Sequence, residues 1–203
     1  MNALILVDIQ NDFMPGGALG VPGGDAIVPV VNRLQPEFPL VVATQDWHPP
    51  GHASFASSHP GHSPFDSIEL DGLEQTLWPD HCVQGTAGAD FHAELDMQRV
   101  EAVFRKGMDS GIDSYSGFYD NGHQKTTGLA GYLREKGVQT VFFCGLAADI
   151  CVAFSIRDAN AEGFSTVLVE DATRALDAEG FTSVRDELQA AGTRIVNSVD
   201  LAG

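Results

Sequence analysis

Six short apolar runs, most of them unbroken by polar residues, recur along this chain, and stretches with helical character lie between most of them. The runs cover residues 3–7, 40–44, 102–105, 139–144, 166–170 and 193–196. A strand with one wet face alternates apolar and polar residues, whereas a strand covered on both faces does not. These runs therefore predict a sheet buried between two layers. Helical stretches are expected over 25–34, 126–136, 149–162 and 179–191, with Pro29 demanding a late start or a kink in the first. The other three stop at Gly137, Gly163 and Gly192, the residue type that accepts the left-handed conformation at a helix end. Strand–helix alternation of this kind predicts a parallel sheet in an α/β/α arrangement, here one domain spanning residues 1–203.

In such sheets, ligands bind beyond the carboxyl ends of the strands. The first strand runs into Asp8, and the second into Asp46-Trp47-His48. The third delivers Lys106, and the fourth leads through Gly145-Leu146-Ala147-Ala148-Asp149-Ile150 to Cys151. Near the start of a helix, the dipole and free N–H groups favour a cysteine thiolate and can stabilise an oxyanion. Asp8 is a candidate proton acceptor for that thiol, and Lys106 a cation to hold the charged partners. Each also has an ordinary structural role: a buried cysteine, a polar strand end, a solvated lysine. Their convergence on one rim suits acyl or amide chemistry.

The segment from Gln45 to Phe91 breaks the alternation. It is rich in Pro, Gly and Ser, and it holds both tryptophans and five of the seven histidines. A loop region this long inside a compact domain is usually functional or disordered, and its tryptophans and histidines favour function. Residues 46 and 48 of an extended segment point the same way, so Asp46 and His48, joined by His81, could hold one divalent ion. His52, His59 and His62 lie nearby, while Cys82, adjacent to His81, should point elsewhere. Such oxygen and nitrogen donors suit zinc, iron(II) or manganese. Phe13, Trp47, Trp78 and Tyr115 could line a slot for a flat ring, or simply pack.

Several classes are disfavoured. With 28 acidic residues against 11 basic ones, the chain carries a formal charge of −17, which repels nucleic acid and anionic membrane surfaces. No apolar run reaches the length of a membrane span. No G-x-G-x-x-G follows the first strand, so no nucleotide cofactor is expected. The three cysteines show no framework spacing and the N-terminus lacks a positive leader, so the cytoplasm, with reduced thiols, is the expected compartment. The sequence is compatible with a monomer or a homodimer.

Six segments together carry a resemblance: Asp8 to Phe13, Gln45 to Pro49, Trp78 to Val83, Phe104 to Gly107, Asp113 to Ser116 and Gly145 to Cys151. In this order and over nearly the whole chain, they resemble the nicotinamidases, metal-dependent members of the isochorismatase-like cysteine hydrolases. The resemblance implies a Rossmann-like three-layer α/β/α sandwich with a parallel sheet of about six strands ordered 3-2-1-4-5-6, plus a long metal-binding loop region. It assigns Asp8, Lys106 and Cys151 to a catalytic triad, and Asp46, His48 and His81 to a divalent metal whose shell is completed by water. It makes Phe13 and Trp78, with Tyr115, the ring contacts, and the N–H groups of Ala147 and Cys151 the oxyanion hole. It also implies a cis peptide before Ala147. The implied reaction converts nicotinamide to nicotinic acid and ammonia through a cysteine thioester, serves NAD salvage and extends to pyrazinamide. The chain departs from the pattern in having Ala148 where threonine is common, which removes one hydroxyl near the nucleophile. Some relatives recruit a fourth metal ligand near His52, which is expected here as a neighbour of the shell or a substrate contact rather than a ligand. Other readings are a different amidase on this fold, or a silent metal-binding protein with a redox-active Cys151.

Overall fold

The computed structural model describes residues 1–201. Its strands are β1 (Asn2–Val7), β2 (Leu40–Asp46), β3 (Ser67–Leu70), β4 (Leu73–Thr76), β5 (Val100–Lys106), β6 (Thr140–Leu146), β7 (Ser165–Arg174) and β8 (Arg194–Val196). Six form one sheet in the order β5-β2-β1-β6-β7-β8, every neighbouring pair parallel. Counted among the sheet strands alone, that order is the expected 3-2-1-4-5-6. The chain leaves β1 toward β2 and later returns beside β1 as β6, which puts the switch point at the sheet centre.

The unbroken apolar character of β1 follows from burial on both faces. Leu4 and Leu6 enter one core, with Val28, Val31 and Leu34 of α1 (Val28–Leu34). Ala3, Ile5 and Val7 enter the other, with α2 (Leu129–Glu135), α3 (Ala153–Ala161) and Leu188 of α4 (Ala178–Ala190). Complete burial of each large aliphatic contributes about 1.5–3 kcal/mol, so this one strand anchors both halves of the sandwich. Among the described residues, no helix is long and apolar enough to cross a membrane.

Residues Gly24–Ile27 form a 3-10 turn and α1 begins at Val28, the late start that Pro29 demands, since proline is compatible with the first turn of a helix. Three local differences from the sequence reading have physical causes. The stretch read as one helix over 149–162 is a π-turn, Ala148–Val152, followed by α3. Strand β7 continues past its apolar run to Arg174, where Thr173 pairs with Gly145 and its hydroxyl donates to the Gly145 carbonyl at 2.6 Å. Within the segment read as loop, β3 and β4 form an antiparallel hairpin closed by Asp71-Gly72, both at positive φ.

Candidate active site

Four adjacent strands, β5, β2, β1 and β6, each bring one chemical group to the same end of the sheet. Lys106, at the end of β5, is 2% exposed and lies at the centre. Its ammonium is 3.0 Å from Asp8 Oδ2 and 3.0 Å from Asp46 Oδ1. It also donates to the Ser114 carbonyl at 2.9 Å and lies 3.6 Å from Cys151 Sγ. Burial alone would favour a neutral amine here, but Asp46 and Asp8 overcome it and hold the ammonium well above the ordinary lysine range.

Asp8 follows β1 at a φ of 46° and is fully buried. The Thr44 hydroxyl donates to its Oδ1 at 2.6 Å and accepts its backbone N–H at 3.3 Å. Burial raises the Asp8 carboxyl above its usual value, with Lys106 and Thr44 opposing. Cys151 lies in the π-turn, not at the N-terminus of a regular helix. Burial pushes its thiol well up, Asp8 and Asp46 push the same way, and Lys106 opposes them. The sequence reading expects a helix start to favour the thiolate at Cys151; burial of the thiol in this π-turn pushes toward the neutral form instead. The peptide between Leu146 and Ala147 is cis, and Ala147 lines the same pocket as Cys151.

The second group of donors begins one oxygen away. Asp46 Oδ2 is 3.2 Å from His48 Nε2 and 3.4 Å from His81 Nε2. Each imidazole is oriented by a backbone carbonyl, which can only accept: His48 Nδ1 lies 3.0 Å from the Gly107 oxygen, and His81 Nδ1 lies 2.8 Å from the Pro79 oxygen. Both rings therefore carry a proton on Nδ1 and aim Nε2 at Asp46, the arrangement that prepares histidine for a metal. His48 Nε2 is buried without a hydrogen-bond partner, a nitrogen whose lone pair a cation would take up. The ligand atoms of Asp46, His48 and His81 lie within 4.8 Å of one another, so this set fits a divalent ion. Burial penalises ionised Asp46, yet His48 and Lys106 hold it well below the usual carboxylate range. Burial likewise disfavours charged His48, yet Asp46 raises it to about 9.

Local backbone geometry builds this arrangement. His48 pairs with Val83 in a parallel bridge, which keeps 46–48 extended and puts Asp46 and His48 on one side. Gly107 has a φ of +65°, and a Cβ there would sit 2.5 Å from His48 Cε1. Gln10 receives the Asp46 N–H at 2.8 Å and donates back to its carbonyl at 2.8 Å. His52 lies beside His48, but its nitrogens are engaged, Nδ1 with the Ser54 hydroxyl at 2.8 Å and Nε2 with the Asp109 carbonyl at 2.7 Å. His59 contacts the Ala53 carbonyl and His62 lies near Asp66, both away from the ion set. Cys82 is buried at a φ of 46° and is not among the ion donors.

A small pocket opens over these groups. Phe13, Trp78 and Tyr115 line it with Asp46, His81, Ala147 and Cys151. Trp78 and Tyr115 meet edge-on, and Phe13 leans on His81. Trp47 is absent from this wall and lies beneath the Arg105 guanidinium, 4.0 Å from it. Its odd position between Asp46 and His48 turns it to the opposite side. The sequence reading did not single out the apolar wall of Leu19, Val21, Ile150 and Leu176, nor Thr44 and Asp113. Asp113 belonged to a recognised segment but carried no role.

The isochorismatase domain family matches residues 2–199. The chain belongs to this family. A nicotinamidase of Acinetobacter baylyi is 46% identical over 97% of this chain and 92% of its own length. Among solved structures of family relatives, a nicotinamidase/pyrazinamidase of Acinetobacter baumanii is 46% identical, with a TM-score of 0.96 over 99% of this chain and 98% of that one. A pyrazinamidase of Pyrococcus horikoshii in complex with zinc is 38% identical, with a TM-score of 0.80 over 97% and 98% of the two chains.

Proposed function

We propose that this family member is a nicotinamidase, hydrolysing the carboxamide of nicotinamide to nicotinic acid and ammonia as one catalytic domain. The observation that carries the reading is Lys106, whose ammonium touches Asp8, Asp46 and Cys151 beside an aromatic-walled pocket. The names of the relatives reported above supply the substrate. Pyrazinamide, a ring of the same size, is expected to be turned over as well. Reduced thiols at Cys82, Cys144 and Cys151 fit work in the cytoplasm, in the salvage of the pyridine ring for NAD.

In this reading the ring enters between Phe13 and Trp78, and its carboxamide carbon comes to rest over Cys151. Asp46, His48 and His81 would hold a divalent ion, which supplies a Lewis-acid contact for the ring nitrogen and fixes the ring. Zinc, iron(II) and manganese all suit these donors. Asp8 takes the proton from the Cys151 thiol as sulfur attacks. The new carbon–sulfur bond pushes charge onto the carbonyl oxygen, toward the N–H groups of Ala147 and Cys151. Asp8 then returns its proton to nitrogen, the carbon–nitrogen bond breaks, and ammonia leaves. Water gives a proton to Asp8 and adds to the thioester, releasing nicotinic acid and the Cys151 thiol. Lys106 remains charged throughout and keeps Asp8 from becoming too basic to ionise.

Replacing Cys151 by alanine tests the assignment. The variant should release no ammonia from nicotinamide while binding zinc as the wild type does. Near-normal turnover would overturn it.

A further inference from the structure

We propose that Asp113 is an outer carboxylate of the ion site, accepting hydrogen bonds from water on a bound divalent ion and supplying charge that retains it. The inference rests on the reading of Asp46, His48 and His81 as ion ligands.

Asp113 is 3% exposed and lines the same pocket as Asp46, His81 and Cys151. Its Oδ1 lies 3.9 Å from His48 Nε2, the buried nitrogen without a hydrogen-bond partner. That separation is too long for a direct hydrogen bond. The carboxylate is held in place by the Ser114 N–H, 2.7 Å from Oδ1, and by the Gln75 amide, 3.4 Å from Oδ2. A carboxylate has about four lone-pair sites, so acceptor capacity remains after both contacts. Among the described residues, no lysine or arginine pairs with it. His52 also approaches His48 and Asp113, but both its ring nitrogens are already engaged. A separate ion on His48, His52 and Asp113 is thereby disfavoured, and the outer role follows.

Charge gives an independent argument. With His48 and His81 counted as neutral ion ligands, Asp8, Asp46 and Asp113 are buried here against one cation, Lys106. Three carboxylates and one ammonium leave two negative charges, and one divalent ion cancels both. Without Asp113, the same ion would leave the cluster positive. Buried charge without compensation is strongly unfavourable, so Asp113 should bear on how tightly the ion is kept. Its loop serves the whole site: Asp113 faces the ion donors, Ser114 gives its carbonyl to Lys106, and Tyr115 walls the pocket.

The test is zinc affinity of the purified full chain, stripped of metal and titrated with Zn²⁺ against a chromophoric chelator. Asp113→Asn should bind Zn²⁺ about 10–100-fold more weakly, the range seen when outer partners of metal ligands are lost. Asp113→Glu should regain part of that loss. Asparagine is the closer match in shape, so a packing role predicts the reverse order. Should the amide disturb the loop by circular dichroism, Asp113→Ser removes the charge with less bulk and is expected to show the same weakening. Affinity of Asp113→Asn within about twofold of wild type overturns the inference. Equal, weak zinc binding by wild type and His81→Ala would instead overturn the ion site itself, so the two failures are distinguishable.

Discussion

Thr44→Val tests the proposed base with almost no change of shape. Thr44 is fully buried in β2, and its hydroxyl donates 2.6 Å to Asp8 Oδ1. Valine keeps the branched outline and removes only the donor. A hydrogen bond to a charged group contributes about 1.5–3 kcal/mol. Since 1.36 kcal/mol corresponds to one pKa unit, the Asp8 carboxyl should rise by about 1–2 units above a value that burial already raises. The sign follows from which form the hydroxyl stabilises. It favours ionised Asp8, so its contribution is present above the folded-state pKa of Asp8 and is lost as pH falls through it. Wild type and variant should therefore converge in stability at acid pH and separate by about 1.5–3 kcal/mol at higher pH. The acid limb of kcat/KM for nicotinamide should move up by the same 1–2 units or so, with little change on the plateau above it. Ammonia release across the pH range and urea unfolding at two pH values read both effects. Thr44→Ser should restore the wild-type limb. An unmoved acid limb, with an equal loss of stability at every pH, would show that Thr44 only fills space and that Asp8 is not the titrating base.

Two further outcomes follow from the geometry. Gly107→Ala puts a Cβ at a φ of +65° against the His48 ring, so zinc affinity and turnover should each fall by about tenfold or more, with stability lowered by at least about 1 kcal/mol; unchanged zinc affinity in a folded variant would refute the placement of His48. Trp47→Ala should leave KM within about twofold of wild type, whereas Trp78→Ala should raise it about tenfold through lost ring contact; the opposite pattern in steady-state kinetics would mean that the pocket wall has been misread.

Most of the scaffold was legible because burial on two faces leaves an unmistakable mark. The apolar runs located all six sheet strands, and a parallel sheet necessarily gathers its carboxyl ends. Asp8, Asp46 and Lys106 could be placed at one rim on that rule alone. Side-chain parity along an extended segment likewise paired Asp46 with His48. The same parity argued against Trp47, and applying it consistently would have removed that residue from the pocket. Asp71-Gly72 is a hairpin turn signal that was available in the sequence but lay inside a segment read as loop. Other features depend on register or on local winding. Thr44 meets Asp8 only because Leu6 aligns with Ala43, which no spacing reveals. The winding around Cys151 is not legible either, since the chain forms a π-turn where a regular helix start is expected.

Asp46 ties the chemistry of the site together. Its Oδ1 faces Lys106 at 3.0 Å, while its Oδ2 faces His48 and His81 at 3.2 and 3.4 Å. One oxygen thus faces Lys106 and, beyond it, the proposed nucleophile, while the other faces the two histidines proposed to hold the ion. The position at the end of β2 makes this possible. On one side lies β1, followed directly by Asp8, and on the other β5, ending at Lys106. Gln10 clamps the Asp46 backbone through both its N–H and its carbonyl, so the carboxylate has little freedom to favour one duty over the other. A histidine or an amide at this position could serve the ion but would leave Lys106 with one fewer negative partner. In the proposed mechanism, an aspartate shared between the two tasks would let one short segment of chain set both the distance and the charge between the held ring and the attacking sulfur.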